Sequence, residues 1–412
     1  MRILYLHQYF VTPDQPGATR SYEIARRLVR RGHQVDMITT DTSPGGSSDW
    51  WSEDVEGITV HRTGVPYHNA MTFRNRIAAF AAFGIRAKEY GIRLDYDMVF
   101  ATSTPLTIAW PAVGLSRAKG VPMVFEVRDL WPEVPIAMGI IRNRLLKQLA
   151  FRLERFAYEN ADLVIALSPG MAESISERFP TTQVQVVPNG CDLDLFRRKG
   201  NAGESFRSEN GLGDCPLVVY VGTFGEANNA AYVIDVAKHA IKILPEIRFL
   251  LVGEGKLSTG LRAHASRAGV LDTTVIIRPR IRKQNVPEVL HAADVALSLF
   301  ADIPILSTNS ANKFFDALAA GTAIAINYGG WQAHLIEESQ CGLRLPSANP
   351  VQAAELLVAF LRNRRGTAAA GVRARLLAES RFSRDRQVAE LIELLETTHR
   401  NATNRKAEAT SG

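Results

Sequence analysis

The 412-residue sequence predicts an α/β protein of two doubly wound, Rossmann-like domains. Short apolar runs alternate with helical patterns along the whole chain, as in a parallel sheet covered by helices. The plan stops at a polar, glycine-rich stretch, "RRKGNAGESFRSENGLGDCP", and then begins again. The length itself exceeds one ordinary core.

Taken in order, the strand "RILYLHQYF" leads through "VTPDQPGATR" into the helix "SYEIARRLVRRG" and the strand "QVDMITT". "MVFAT", "VPMVFEV", "ADLVIALS" and "VQVVPNG" follow as further strands separated by helical stretches. The second plan runs from strand "LVVYVGTF" through loop "GEANN" and helix "AAYVIDVAKHAIKIL" to strand "IRFLLVGEG", then "TVIIRP", "VALSLF" and "TAIAINY". This spacing places an N-terminal domain over 1–196 and a C-terminal domain over 197–382. A last helix, capped by Ser383 and running over 383–400, crosses back to the first domain, and 401–412 reads as a disordered polar tail. Open α/β sheets bind ligands outside the carboxyl ends of their strands, so the expected site is a cleft lined by both sets of strand-end loops. No G-x-G-x-x-G follows either opening strand, which argues against two dinucleotide domains.

Composition narrows the function. The 46% hydrophobic and 22% charged content is that of a globular enzyme. Three scattered cysteines without C-x-x-C spacing speak against a disulfide framework or a zinc site and fit a reducing compartment. The opening "MRILYLHQYF" reads as a strand rather than a signal peptide, and no apolar run is long enough to span a bilayer. A cytoplasmic enzyme, or one lying on the inner face of the plasma membrane, is expected. The formal charge of +6 favours anionic partners. Dispersed basic residues without a recognised module argue against nucleic acid.

Two loops suit an anion. In "QPGATRSYEIA", Gly17 permits close backbone approach, Ser21 can cap the helix and Arg20 adds charge. In "NSANKFFDALAAGTAIAINY", Ser310 can cap a helix over about 311–320 that Gly321 ends. Asn312 and Lys313 then stand in the first turn, and Asp316 shares their face. Asp316 lies roughly 6–9 Å beyond the helix start, about the span from a diphosphate to the ribose of the same nucleotide. The helix is therefore expected to hold a diphosphate at its N-terminus and the sugar hydroxyls at Asp316, with Phe314, Phe315, Leu318 and Ala319 in the core.

The order of "GATRSYEIARRL", "FEVRDLWPE", "ALSPGM", "VPNGCDLDLF", "YVGTFG", "LLVGEG", "AADVALSLF" and "NKFFDALAAGTAIAIN" resembles the family-4 retaining glycosyltransferases of the GT-B fold. It is most similar to the branch that builds bacterial O-antigen and exopolysaccharide, including fucosamine-transferase-like members. The resemblance covers Arg2 to about Leu395. It implies a nucleoside-diphosphate sugar donor, in particular a UDP-linked one, held by the second domain. It also implies a lipid-linked glycan acceptor on the first domain, transfer with retention, and neither cofactor nor metal.

By motif position Asp316 matches the second glutamate of the family's E-x7-E pattern, which binds ribose. The first glutamate falls at Thr308 and is absent, leaving Asn309 or Ser310 for the transferred sugar. The family's arginine after the "YVG" glycine is Thr223 here, and its lysine is Asn228 or Asn229. Lys313 is the expected substitute cation, followed by Arg282, Lys283 and Arg20, since the departing anion needs stabilisation. In "VFEVRDLWPE" the family's histidine is Arg128. Glu126, Asp129 and Glu133 are candidate acceptor-side carboxylates, Asp129 best placed, because deprotonating a hydroxyl needs a base in reach. The pairs Asp95/Asp97 and Asp192/Asp194 match D-x-D only by chance, and no metal is expected. "TFRNRIAAFAAFGIRAKEYGIR" and "IIRNRLLKQLAFRLERFAYENA" mix arginine with large apolar residues and suit peripheral contact with anionic lipid, or a buried helix with a basic rim. A silent nucleotide-sugar-binding scaffold and a GT-B epimerase or phosphorylase are the alternatives.

Overall fold

The computed structural model describes residues 1–15, 17–42, 47–67, 71–198 and 200–411. The chain forms two compact units, one built on Met1–Thr12 and Gly17–Pro188 with the stretch from Gln387 onward, the other on Asn189–Arg386.

The first unit carries strands β1 (Arg2–Leu6), β2 (Gln34–Asp41), β3 (Trp51–Val55), β4 (Ile58–Gly64), β5 (Met98–Thr102), β6 (Met123–Val127), β7 (Leu163–Ala166) and β8 (Val184–Val186). They form one sheet in the order β3-β4-β2-β1-β5-β6-β7-β8. Every pairing is parallel except β3 with β4. The chain leaves β1 toward β2 and returns to β5 on the other side, so the crevice of this sheet opens at the carboxyl ends of β1 and β5. The central strands β5 and β6 are buried along their whole length, which is why their sequences are mainly apolar without a polar-apolar alternation.

The second unit holds β9 (Leu217–Val221), β10 (Arg248–Val252), β11 (Val275–Arg278), β12 (Val295–Ser298), β13 (Ala323–Ile326) and β14 (Gly342–Arg344). The order is β11-β10-β9-β12-β13-β14, all parallel, with the switch between β9 and β12. The loops leaving β9 and β10 lie in close contact. Gly222 N donates to Val252 O at 3.0 Å. A Cβ on Gly253 would lie 1.9 Å from Gly222 O, so glycine is required there.

Three features depart from the sequence expectation. The antiparallel hairpin β3–β4 was not foreseen. Its two-residue turn, Glu56-Gly57, has φ of 53° and 83°, the positive pair that a tight hairpin needs. The first unit ends at Pro188, ahead of the expected 196/197 boundary, because the following residues bond within the second unit. Asn189 Nδ2 donates to Ser310 O at 2.7 Å, and Cys191 N donates to Phe382 O at 2.7 Å.

The last helix runs Arg384–Ser411, with Ser383 Oγ accepting from Arg386 N at 3.3 Å. It therefore continues through the expected tail. Residues 401–411 contain many good helix formers, and Arg405 ties the helix to Asp162 at 2.7 Å. Val388, Leu391, Ile392 and Leu395 pack into the core of the first unit.

Candidate active site

In the second unit the chain leaves β12, makes a short 3-10 turn over Pro304–Thr308 and enters the helix Asn312–Ala320. Phe314, Phe315, Ala317 and Leu318 are buried on this helix, and Gly321 ends it in the left-handed conformation at φ 67°. Because β12 adjoins β9, the helix starts beside the loop that follows β9.

Lys313 crosses to that loop. Its Nζ donates to Asn228 Oδ1 at 2.6 Å and stands 5.1 Å and 5.4 Å from the ring centroids of Tyr220 and Phe300. Among the described residues no carboxylate pairs with it. Dipoles and ring faces alone surround the ammonium, and burial pushes its pKa down to about 7. The Lys313 ammonium thus lies against Asn228 on the loop that follows β9. Asn312 is exposed on the same turn, as is Thr223 across the loop.

Asp316 follows one turn later and pairs with Lys283, whose Nζ donates to Oδ1 at 2.5 Å. Lys283 is therefore engaged by a carboxylate rather than free for a diphosphate, while the adjacent Arg282 is exposed. Burial raises the Asp316 pKa, and Lys283 works against that rise.

Ser310 does not cap the helix: Ala311 is the N-cap, with no side-chain bond. Ser310 Oγ instead accepts from Asn189 N at 3.2 Å, which ties its oxygen to the start of the second unit. Asn309 keeps a buried Oδ1 without a hydrogen-bond partner among the described residues.

In the first unit, the ends of β1, β5 and β6 bring together His7, Gln8, Ser103, Thr104, Arg128 and Asp129. Arg128 N donates to Ser103 Oγ at 3.0 Å, and its guanidinium reaches His7 Nε2 at 3.4 Å. Burial raises the Asp129 carboxyl to about 6, with Arg128 and a hydrogen bond from Thr104 opposing. A carboxyl poised there can accept a proton near neutral pH.

Several expectations are corrected. Glu126 is 0% exposed, accepting from Arg20 Nε at 2.9 Å and Thr102 Oγ1 at 2.6 Å, so it is shut away from any acceptor. Arg20, 3% exposed, also donates to Pro188 O at 2.7 Å and Val187 O at 2.9 Å. It is an internal tie and not a phosphate ligand. At Gly17 a Cβ would sit 2.9 Å from Val11 Cγ2 at a φ of +151°, so the loop favours glycine there. Ser21 lies inside the helix, which begins at Arg20 behind Thr19. Glu133, the third acceptor-side candidate, is held by Arg178 at 2.8 Å.

The aspartates of both D-x-D matches meet arginines: Arg2 pairs with Asp95 and Asp97, Arg384 with Asp192, and Arg197 with Asp194.

His7 and Gln8 were missed. Burial holds His7 neutral, and with Nε2 turned to Arg128 the proton belongs on Nδ1, which has no partner among the described residues. Gln8 is buried with both side-chain polar atoms unpaired among those residues. The signal available was two polar residues directly after "RILYL", at the end of a strand.

A cavity of about 830 Å³ in the second unit lies elsewhere, at the amino ends of β9, β12 and β13. Two of its arginines satisfy helix ends: Arg207 donates to Ala292 O at 2.7 Å, and Arg375 caps Ala319 O. It is no part of the strand-end sites.

Residues 17–190 match the glycosyl transferase 4-like domain, and residues 215–363 match glycosyl transferases group 1. A D-inositol 3-phosphate glycosyltransferase of Xylanimonas cellulosilytica is 26% identical, covering 95% of this chain and 96% of that protein. An Escherichia coli UDP-Gal:alpha-D-GlcNAc-diphosphoundecaprenol alpha-1,3-galactosyltransferase is 27% identical over 51% of this chain and 54% of its own. Among solved structures, sucrose-phosphate synthase from Thermosynechococcus elongatus superposes with a TM-score of 0.78 at 18% identity, covering 96% of this chain and 98% of that one. HepE of Anabaena, in complex with UDP and glucose, gives 0.71 at 16% identity, covering 96% and 100%. With its two matched segments spanning well over half the sequence and in family order, the chain belongs to the glycosyltransferases of the GT-B fold, with a glycosyl transferase 4-like domain followed by a group 1 domain.

Proposed function

We propose that the enzyme transfers a sugar from a UDP-sugar to a lipid-linked glycan with retention of configuration. The observation that carries this reading is Lys313, a half-buried ammonium at a sheet switch point with no carboxylate beside it among the described residues. Such a charge is costly unless an anion arrives. The amides of the first turn around Asn312 add to it. Asp316 then receives the ribose hydroxyls, and Asn309, with its unpaired Oδ1, faces the transferred sugar in place of the missing glutamate.

In the reaction the bond from the anomeric carbon to the diphosphate oxygen breaks as the acceptor oxygen bonds to that carbon on the same face. The acceptor proton passes to Asp129, with Arg128 alongside, and Lys313 neutralises the departing diphosphate. HepE, solved with UDP and glucose, supports the choice of UDP. The motif resemblance favours an N-acetylamino sugar and a role in O-antigen or exopolysaccharide assembly.

A lipid-linked acceptor is favoured by the helix Arg144–Glu159 of the first unit. Leu145 and Leu149 are 69% and 57% exposed there, Phe151 lies nearby, and Arg144, Lys147, Arg152 and Arg155 surround them. That face fits an anionic membrane, in keeping with the inner face of the plasma membrane. No helix among the described residues is long and apolar enough to cross one. The relative that acts on a diphosphoundecaprenol-linked sugar points the same way.

The test is a thermal-shift series with nucleoside diphosphates, coupled to UDP release from UDP-sugars. UDP should raise the melting temperature of the wild type, and Asp316→Ala should lose most of that rise. An undiminished response in the variant removes the ribose assignment.

A further inference from the structure

The Asp316 carboxylate does not stand alone, and its partner comes from a different part of the unit. Lys283 belongs to the single 3-10 turn Lys283–Asn285, and its ammonium packs 5.1 Å from the Phe196 ring centroid. The two charged side chains are 20% and 15% exposed, with Nζ and Oδ1 2.5 Å apart. The other ionisable groups facing Asp316 are already committed. Asp192 is paired with Arg384, which also donates to Gly190 O at 2.9 Å. The Cys191 thiol is bonded to Phe315 O at 3.2 Å, and burial holds it protonated. Lys283 is thus the counter-ion that belongs to Asp316.

We infer, resting on the donor reading above, that Lys283 is a positioning residue for ribose recognition and not a cation for the diphosphate. Its ammonium fixes Oδ1 and keeps the carboxyl ionised, which leaves Oδ2 as the acceptor for a ribose hydroxyl. Without that partner a carboxyl so enclosed takes up a proton more readily, becomes a donor at one oxygen and loses its hold on the hydroxyl.

The experiment compares UDP with 2′-deoxy-UDP on the full chain by titration calorimetry across about pH 6 to 9. Wild type, Lys283→Met, Lys283→Arg and Asp316→Ala are measured. A hydrogen bond to a charged group makes the expected wild-type preference for UDP about tenfold or more. In Lys283→Met the preference should collapse toward unity at the acid end and recover as pH rises, whereas Lys283→Arg should keep it throughout. A role in folding alone would not restore discrimination with pH. Lys313 titrates in the same range, but it meets both ligands equally and cancels in the ratio. If Lys283→Met proves unstable, Lys283→Gln carries the same comparison.

A Lys283→Met preference equal to that of wild type at every pH overturns the inference, provided Asp316→Ala abolishes it. Should wild type itself fail to discriminate, and Asp316→Ala change nothing, the ribose assignment falls and takes this inference with it.

Discussion

Each unit holds a cation near the carboxyl end of its sheet, buried in the first and half-buried in the second, and the two are unlike in what surrounds them. Arg20 in the first unit meets Glu126 and two backbone carbonyls, so its charge and its donors are matched internally. Lys313 in the second meets an amide oxygen and two aromatic faces, and no carboxylate among the described residues. Burial depresses both pKa values, but for arginine the shift leaves the charge intact, whereas for Lys313 it reaches about 7. A matched buried charge holds a fold together. An unmatched one is, on the proposed function, where the diphosphate is received. The carboxylates divide the same way: Glu126 is matched, while Asp129, raised to about 6, retains capacity for a proton.

The largest effect expected from this contrast is at Asp129. Asp129→Asn should cut transfer by about 10²–10⁴ while UDP binding persists. Wild-type rate should rise as pH passes about 6, where the carboxyl ionises. The stability sign is opposite. A carboxyl whose pKa is raised on folding opposes folding once ionised, so its penalty is absent below about pH 4 and complete only above about pH 6. The variant should therefore gain about 1–3 kcal/mol at neutral pH and nothing in acid, as read by thermal melts. Full activity would strip Asp129 of its role.

Arg20→Met should lower stability by about 3–5 kcal/mol, because Glu126 would stay buried without its partner. Refolded at low temperature, that variant should bind UDP like wild type. A selective loss of UDP binding would return Arg20 to the list of phosphate ligands.

Lys313→Met should reduce transfer by about 10²–10³ and raise the melting temperature near pH 6. A lysine whose pKa is lowered on folding opposes folding when protonated, fully below about pH 7 and less as pH climbs toward about 10. In wild type, UDP binding at about pH 8 should draw in a proton. The apparent binding enthalpy would then differ between buffers of different ionisation heat, and equal enthalpies would show that Lys313 does not meet the diphosphate.

Thr102→Val is the mildest case. It removes the hydroxyl that donates to Glu126 at 2.6 Å and should cost about 1–3 kcal/mol in chemical denaturation with kcat unchanged.

Much of this was readable in the chain because local physics suffices for it. Strand and helix periods, the glycine that ends the Asn312–Ala320 helix, and the shared face of Asn312, Lys313 and Asp316 all follow from near neighbours in sequence. The two-unit plan and the placement of a candidate donor site after β12 rest on the same patterns. The β3–β4 hairpin was missed because its turn signal, Glu-Gly, is weaker than Asn-Gly and its strand "WSEDV" is largely polar. His7 and Gln8 escaped notice because their burial depends on strands far along the chain.

Charge matching was decided by tertiary structure alone. Arg20 and Glu126 lie 106 residues apart, Lys283 and Asp316 33, and Lys313 and Asn228 85. The residue types that could bear charge were set by the sequence, and so was the strand end on which each falls. Which charges cancel one another and which stay open to a ligand depends on contacts across the sheet. Electrostatic energy is governed by distance in space and by burial, and neither can be computed from spacing along the chain.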